Sequence, residues 1–357
     1  MKVLFFLVHP AHFHLFKNVI KKLKSDNIEP FVIIRPKESL ESLCNEAGFD
    51  YIKVSDGIRK NKKLSMLVDI LKRDFHAYQI IKKIKPDLLI GSSVEICHVG
   101  KFLGIPSVIT HEDDYDNMKF FSYSAFPFAT NILSPLGCRQ GRWEKKCIHY
   151  PGYHELSYLH PNNYVPDPKV SKVLGTQTYF LLRFSQFNAH HDFGASGISD
   201  SLAKRIITIL KPYGKVFISS ERPLSDDLER YRITLPASSI HDVLYSSKML
   251  IGDSQSMTVE AAVLGVPAIR FNKFAEDYSI AVLDELEKKY ELAIGINNRN
   301  PARLIKRIEE LMAVQNLKEI WHERRVKMLT EKIDTCNYLC DFIKNFNNSS
   351  KIQNSKV

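Results

Sequence analysis

Short apolar runs alternate with longer amphipathic stretches through the first half of the chain. The apolar runs are bounded by turn residues and predict strands at residues 2–8, 31–34, 87–90, 107–109 and 131–133. Between them, apolar residues recur at helical spacing over residues 15–23, 39–47, 64–84 and 96–103. This alternation is typical of βα units that build a parallel sheet.

The alternation stops and then resumes in the second half. Residues 150–168 are rich in Pro, Asn, Tyr and His and predict an interdomain linker. Beyond them, strands are predicted at residues 178–182, 216–219, 249–251, 268–271 and 293–296, with helices at 200–210, 258–264, 279–289 and 301–312. The sequence therefore predicts two α/β domains, residues 1–160 and 161–315.

The C-terminal region predicts one long helix and a polar tail. Residues 316–345 form the helix, which is long enough to cross back toward the first domain, and residues 346–357 form a disordered tail. Its apolar contacts are Ile320, Trp321, Met328, Ile333, Leu339 and Ile343. A chain of 357 residues has the length expected for two domains of about 150 residues each.

The net charge of +10 allows three kinds of partner: nucleic acid, an anionic membrane surface or a phosphorylated substrate. The basic residues are spread over many segments and no nucleic-acid-binding motif is present, so we expect no nucleic acid partner. The apolar run at residues 3–8 is too short for a signal peptide, and the six cysteines form no CxxC pair. These features predict a cytoplasmic protein, with peripheral contact at the inner face of the membrane as an open alternative.

A strand-to-helix junction at residues 250–267 carries the most informative chemistry. Gly252 ends a buried strand, and the following helix would present backbone N–H groups, its positive dipole end and several hydroxyl groups to a diphosphate. Glu260 lies where its carboxylate can accept from the two hydroxyls of a ribose. A serine-capped helix with an exposed glutamate is the alternative. The candidate donor-binding residues here are Asp253, Ser254, Ser256, Met257, Thr258 and Glu260.

The pattern DSxSxxxEAxxLGxP at residues 253–267 resembles the donor-binding segment of two-domain GT-B enzymes, especially nonhydrolysing UDP-N-acetylglucosamine 2-epimerases. From residue 1 to about residue 312 the chain resembles the domain of unknown function 354 family. The supporting segments are residues 9–16, 103–106, 127–129, 150–155 and 241–245. The resemblance implies a GT-B-like α/β fold, in which two Rossmann-like parallel-sheet domains face a central cleft. GxGxxG and GxxxxGK[ST] motifs are missing, which argues against dehydrogenases and P-loop NTPases.

Histidines cluster in the turn after the first strand, at the sheet edge where ligands bind in open α/β folds. His14 and His12 are candidate bases for an acceptor hydroxyl, because an imidazole accepts protons near neutral pH. Some GT-B enzymes carry a histidine base in this turn. Helix capping or core packing is the alternative for both residues.

Carboxylates follow the strand at residues 107–109, at the same sheet edge. Glu112 and Asp113 are candidate bases, or with His111 candidate ligands of a divalent cation. A solvated acidic loop is the alternative. GT-B enzymes usually lack a metal-binding DxD motif, so the resemblance implies no metal.

Arg183 follows the first strand of the second domain, where its guanidinium can clamp a diphosphate. The epimerases carry a histidine-arginine motif in a similar place, but Leu182 precedes Arg183 here. His190 in the following loop and Glu221 after the next strand are further candidate contacts of the donor.

The resulting hypothesis is an inverting GT-B-type glycosyltransferase that acts in surface polysaccharide synthesis without a cofactor. It would transfer a sugar from a UDP-sugar donor to a glycan or lipid-linked acceptor, with donor residues in the second domain and the base in the first. Two alternatives remain open: a UDP-N-acetylhexosamine 2-epimerase and a noncatalytic protein that binds sugar nucleotides. The missing His-Arg pair favours transfer over epimerisation.

Overall fold

The computed structural model describes residues 1–54, 63–175, 178–185 and 197–346. The chain divides into two compact units. Unit 1 comprises Met1–Asn163 and the C-terminal segment that begins at Ile333, and unit 2 comprises Tyr164–Lys332. Each unit is built on a parallel sheet flanked by helices, which confirms the predicted α/β class.

The sheet of unit 1 places its first strand in the interior. Its order is β3-β2-β1-β4-β5-β6-β7, and every pairing among these described strands is parallel. The strands are β1 Lys2–Leu7, β2 Glu29–Ile34, β3 Ile52–Lys53, β4 Leu88–Gly91, β5 Ser107–Thr110, β6 Asn131–Pro135 and β7 Cys147–Tyr150. The chain adds strands on one side of β1 and then on the other, so the switch point lies between β1 and β4.

The helices of unit 1 follow the strands in alternation. They are α1 Pro10–Ser25, α2 Glu38–Glu46, α3 Lys63–Ile84, α4 Val94–Leu103, α5 Lys119–Ala125 and α6 Leu156–Leu159. Helix α1 begins with Pro10, whose missing N–H costs nothing at this position, and Nδ1 of His9 accepts from the N–H of Ala11 at 3.2 Å. Its apolar side packs on the sheet, with the Phe16 ring 5.2 Å from that of Phe5.

Three sequence expectations for unit 1 differ from the structure. Strand β3 is two residues long and exposed. Strand β7 reads Cys-Ile-His-Tyr and is interrupted by a polar histidine, so neither strand produced an apolar run. The predicted linker at residues 150–168 is packed over its first half, because Tyr150 ends β7 and Tyr153 is fully buried. The division between the two units, after Asn163, falls in the second half of this segment.

Unit 2 repeats the parallel arrangement with fewer strands. Its order is β12-β11-β10-β8-β9, and the switch point lies between β8 and β10. The strands are β8 Tyr179–Phe184, β9 Lys215–Ser220, β10 Met249–Gly252, β11 Ala268–Asn272 and β12 Ala293–Asn297. All five predicted strands of this half are confirmed within one or two residues at each end.

The helices of unit 2 are α7 Lys169–Val173, α8 Asp200–Leu210, α9 Asp226–Glu229, α10 Ile240–Ser246, α11 Gln255–Leu264, α12 Ala281–Asp284, α13 Pro301–Met312 and α14 Leu317–Glu331. Helix α8 is capped by the Ser199 hydroxyl, which accepts from the N–H of Leu202 at 3.3 Å. The helix predicted at residues 279–289 is instead α12 followed by a π-helical turn at Glu285–Lys289.

At each switch point, the strand that comes later in the chain ends in a glycine. Gly91 at the end of β4 pairs with Phe6, and a Cβ there would lie 2.5 Å from the Phe6 carbonyl oxygen. Gly252 at the end of β10 pairs with Arg183, and a Cβ there would lie 2.7 Å from the Arg183 Cβ. These close approaches require glycine at both positions and bring the adjoining loops together.

The long C-terminal helix predicted from residue 316 to residue 345 is two helices. Helix α14 ends at Glu331, Lys332 has extended dihedral angles, and α15 spans Thr335–Lys344. Asp334 caps α15 by accepting from the N–H of Asn337 at 3.1 Å, so the break has its own capping signal. Among the described helices, none is both long and apolar enough to cross a membrane.

Candidate functional site

A cavity of about 470 Å³ lies in unit 1 at the carboxyl ends of β1, β4 and β5. This is the switch point of the sheet, the place where ligands bind in open α/β folds. The titratable side chains that line the cavity are His9, His12, Arg35, Lys37, Arg73, Glu95, His111, Glu112, Asp113 and His154. The structure therefore brings together three of the four predicted catalytic residues, namely His12, Glu112 and Asp113.

Glu112 is held from two sides by His154. Its Oε1 accepts from the backbone N–H of His154 at 2.8 Å, and its Oε2 lies 3.2 Å from His154 Nδ1. Burial raises the pKa of Glu112 to about 7, although its hydrogen bonds with His154 and Glu155 act in the opposite direction. Glu112 thus titrates in the range in which a general base is effective.

Asp113 lies beside Glu112 in the same cavity. Burial raises the pKa of Asp113 to about 6, and the nearby Glu112 and Asp114 add to this effect. Asp114 is turned away and fixed, because its Oδ1 accepts from the backbone N–H of Arg139 at 2.7 Å. The cavity therefore contains two neighbouring carboxyl groups whose protonation changes near neutral pH.

His12 is a hydrogen-bond donor in this geometry. Its Nδ1 accepts from the backbone N–H of Val8 at 3.3 Å, so the neutral ring carries its proton on Nε2. Burial lowers the pKa of His12 to about 3, and His9, His154, Lys37 and Arg35 lower it further. A ring with this protonation can donate to a substrate oxygen, and its lowered pKa disfavours the role of base that the sequence predicts.

His111 and His154 are also neutral. His111 stacks on Phe121 with ring centroids 5.5 Å apart and meets Phe126 edge-on at 5.2 Å. Burial lowers the pKa of both histidines to about 3. These two imidazoles therefore add no charge beside Glu112, and the carboxyl groups of Glu112 and Asp113 are the groups whose pKa values lie near neutral pH.

His14 lies outside the cavity. It is buried on the core side of α1, where its ring lies 5.2 Å from Tyr158 and 5.4 Å from Phe13. Residues two apart in a helix point about 200° apart, so His12 and His14 cannot face the same site. The role expected for His14 is therefore corrected to core packing.

An ionic cluster that the sequence did not predict also lines the cavity. The Glu95 Oε1 accepts from Arg35 at 2.6 Å and from Arg73 at 2.9 Å. Burial alone would raise the pKa of Glu95, but the two arginines lower it below its ordinary value. Glu95 lies at the start of α4 after a polar turn, but nothing local indicates that Arg35, which follows β2, and Arg73 of α3 converge on it.

Arg183 in unit 2 is oriented by its neighbours on β9. Its Nη1 donates to the Ser219 hydroxyl at 2.7 Å, and its Nη2 pairs with Glu221. The neighbouring loop is tied to β8, because Asp253 Oδ1 accepts from the N–H of Ser185 at 2.7 Å. The predicted residues Arg183 and Asp253 thus lie at the switch point of the second sheet, and Glu221, which follows β9, contacts Arg183 there.

The start of α11 has fewer available hydroxyls than the sequence predicts. Ser254 is the N-cap, and its hydroxyl accepts from the N–H of Met257 at 3.3 Å. Thr258 is fully buried and donates to the Ser254 carbonyl at 2.7 Å, which corrects its expected role as a ligand donor. Met257 is also buried, whereas Ser256 is exposed at the helix N-terminus.

Glu260 is buried and paired. Its Oε1 lies 3.0 Å from His241 Nε2, and His241 is itself almost fully buried. This arrangement corrects the alternative of a solvent-exposed glutamate, and the contact with His241 restricts the orientation of the carboxylate. The predicted contact of His190 lies outside the described residues.

One group of possible metal ligands occurs in the part of the chain that the structure describes. Ligand atoms of Glu144, Cys147 and His149 lie within 4.8 Å of one another. Cys147 and His149 lie on the edge strand β7 and Glu144 lies in the turn before it; Nδ1 of His149 is 3.2 Å from the Pro135 carbonyl oxygen. They do not line the Glu112 cavity.

The fold is the GT-B fold, which confirms the fold class predicted from the sequence. The chain resembles the UDP-GlcNAc 2-epimerase from Neisseria meningitidis bound to UDP-GlcNAc, with a TM-score of 0.66, 13% identity, and coverage of 97% of this chain and 100% of that chain. CalG4, the calicheamicin glycosyltransferase, gives a TM-score of 0.60 at 13% identity, with coverage of 97% and 98%.

The chain belongs to the family described as "Protein of unknown function (DUF354)", whose model matches residues 1–276. The resemblance to this family is thereby confirmed. "Uncharacterized protein MJ0665" from Methanocaldococcus jannaschii is 23% identical over 280 residues, which cover 74% of this chain and 79% of that protein.

Proposed function

We propose that this protein is a glycosyltransferase that transfers a sugar from a nucleotide donor, with UDP as the nucleotide, to a hydroxyl group of a glycan or lipid-linked acceptor. Synthesis of a surface polysaccharide is the process that such a reaction would serve. The observation that carries the proposal is the cavity at the switch point of unit 1, where Glu112 faces a wall of neutral imidazoles.

Glu112 is assigned as the general base. It would take the proton of the acceptor hydroxyl while the acceptor oxygen forms a bond to the anomeric carbon of the donor sugar. The bond from that carbon to the diphosphate breaks with its electron pair on the departing UDP, which gives inversion at the anomeric centre. His12 would donate its Nε2–H to a sugar or acceptor oxygen.

The donor is assigned to unit 2. The Arg183 guanidinium and the N-terminus of α11 at Ser256 supply positive potential for the departing diphosphate. Glu260 is assigned to the ribose hydroxyls, with His241 fixing its orientation. The structural resemblance to an epimerase bound to UDP-GlcNAc supports UDP as the nucleotide.

Epimerisation at C2 of a UDP-N-acetylhexosamine is the second candidate. It is favoured by the adjacent carboxyl groups of Glu112 and Asp113, one of which could remove a proton while the other supplies one. The proximity of the two groups and their raised pKa values also suit this chemistry.

Incubation with UDP-sugars in deuterated water separates these reactions. Transfer releases UDP when a glycan or lipid-linked acceptor is added and leaves the C2 proton of the remaining donor in place. Epimerisation exchanges that proton for deuterium without an acceptor, which proton NMR detects. Nucleotide binding with neither change would contradict both reactions and leave a noncatalytic sugar-nucleotide-binding protein.

A further inference from the structure

Unit 1 presents aromatic side chains to solvent on neighbouring helices. Phe75 of α3 is 61% exposed, Phe102 of α4 is 77% exposed and Phe128 beyond α5 is 42% exposed. Tyr78 lies between Phe75 and Phe102, since its ring centroid is 6.5 Å from that of Phe75 and 5.7 Å from that of Phe102. These four residues, which we call the aromatic face, line one groove of about 700 Å³.

Cations surround the aromatic face. Lys82 Nζ lies 5.3 Å from the Tyr78 ring centroid, and Lys101 lines the groove. The acidic residue in the groove, Asp74, is paired with His98 at 2.8 Å, and this hydrogen bond raises the pKa of His98. Lys101 in the groove and Lys82 beside Tyr78 supply positive charge at this surface.

A second pair of exposed apolar residues belongs to the rim of the Glu112 cavity. Met118 is 45% exposed and Phe120 is 61% exposed, and both line that cavity. Helix α5, which begins next to them, packs on α4, the helix that carries Phe102. Exposed apolar residues therefore occur on adjacent helices of unit 1 and also line the cavity of the candidate active site.

We propose that the aromatic face docks on an anionic lipid bilayer. Exposed aromatic residues flanked by lysines match an interface that has an apolar interior and negatively charged headgroups. A second copy of this chain is a poorer fit, because the same lysines would then face one another across the contact. Resting on the proposed transferase function, this inference identifies the acceptor as lipid-linked and delivered past Met118 and Phe120.

Vesicle co-sedimentation of the full chain tests the proposal without nucleotide or turnover. Vesicles of phosphatidylcholine are compared with vesicles that also contain phosphatidylglycerol. The wild type should bind the anionic vesicles and dissociate as salt is raised. The F75S/F102S and K82E/K101E variants should each lower the partition coefficient about tenfold or more.

Matched controls alter exposed residues of unit 2. V173S/Y278S removes comparable exposed apolar surface, and K306E/K318E reverses two exposed lysines, so both should bind vesicles like the wild type. Circular dichroism checks that each variant is folded. Equal loss in the control variants would show nonspecific adsorption and overturn the proposal.

Two further results would also overturn the docking proposal. One is absent or salt-insensitive binding of the wild type to anionic vesicles. The other is a concentration-dependent dimer that F75S/F102S abolishes, which would assign the face to a second copy. A failure of the transferase proposal would be detected by different measurements, because UDP binding and turnover with a water-soluble acceptor do not require vesicles.

Discussion

The backbone N–H of His154 donates to Oε1 of Glu112 at 2.8 Å, while Nδ1 of the same residue lies 3.2 Å from Oε2. The two contacts hold both carboxylate oxygens and restrict the rotation of the group. Because the pKa of His154 is lowered to about 3 by burial, this positioning does not depend on an imidazolium charge near neutral pH.

The assignment of Glu112 as the base predicts the pH dependence of turnover. The base must be deprotonated, so the rate should rise with pH through a midpoint at about 7, the pKa to which burial raises Glu112. Glu112→Gln should lower kcat by roughly 10²–10⁴-fold and leave UDP affinity unchanged. Initial rates across pH, with the exposed Glu310→Gln as control, measure this. A rate midpoint retained in Glu112→Gln would contradict the assignment.

The same carboxyl group should destabilise the fold at high pH. The pKa of Glu112 is raised from 4.5 to about 7, so the folded state binds more protons than the unfolded state between these values, and stability falls as pH rises. Glu112→Gln removes this pH dependence. The free energy of unfolding of the variant, relative to that of the wild type, should therefore increase by about 2 kcal/mol from pH 5 to pH 8. Urea denaturation at both pH values measures the difference. A difference that is independent of pH would show that Glu112 titrates normally.

Substitutions of His12 and His14 should differ in their effects: the first should lower kcat, and the second should lower stability. His12→Ala removes a donor from the cavity and should lower kcat while the rate midpoint remains near 7. His14→Ala removes a ring packed on Tyr158 and should lower the free energy of unfolding by about 1–3 kcal/mol with little change in kcat. Parallel kinetics and denaturation of the two variants test this; a large kcat loss for a stably folded His14→Ala would restore His14 as a catalytic candidate.

Glu260 and Arg183 should control UDP affinity. Glu260→Ala removes the proposed ribose contact, and Arg183→Ala removes the proposed diphosphate contact, so each should weaken UDP binding about tenfold or more. His241→Asn tests the buried partner of Glu260 and should have a smaller effect if the pair acts mainly by orienting the carboxylate. Unchanged UDP affinity in Glu260→Ala would exclude the ribose contact.

Regular strands and helices were predictable because both sheets are built from apolar runs separated by amphipathic helices. Strand β7, at a sheet edge, was not, since its sequence Cys-Ile-His-Tyr is interrupted by a polar histidine. The position of Glu112 after β5 indicated the carboxyl edge, but its partner His154 lies 42 residues away in a segment whose composition predicted a linker. Long-range contacts of this kind have no local signal.

Local sequence patterns also led to wrong expectations about the contacts of some side chains. The hydroxyl of Thr258 suggested a phosphate contact, but it satisfies the Ser254 carbonyl inside α11, a bond that competes with any ligand. The histidines of the first turn suggested equal roles, although helical geometry turns His12 and His14 to opposite sides. The ribose contact of Glu260 stays a prediction, and its pairing with His241 depends on the packing of α10 against α11.

Calorimetric titration of the full chain with UDP, GDP, CDP, ADP and NAD tests directly whether the protein binds a uridine nucleotide. We expect saturable binding of UDP at one site, weaker binding of the other nucleotides, and loss of UDP affinity in Arg183→Ala with the fold retained. Absence of binding by every nucleotide, or a preference for NAD that survives Arg183→Ala, would contradict this expectation.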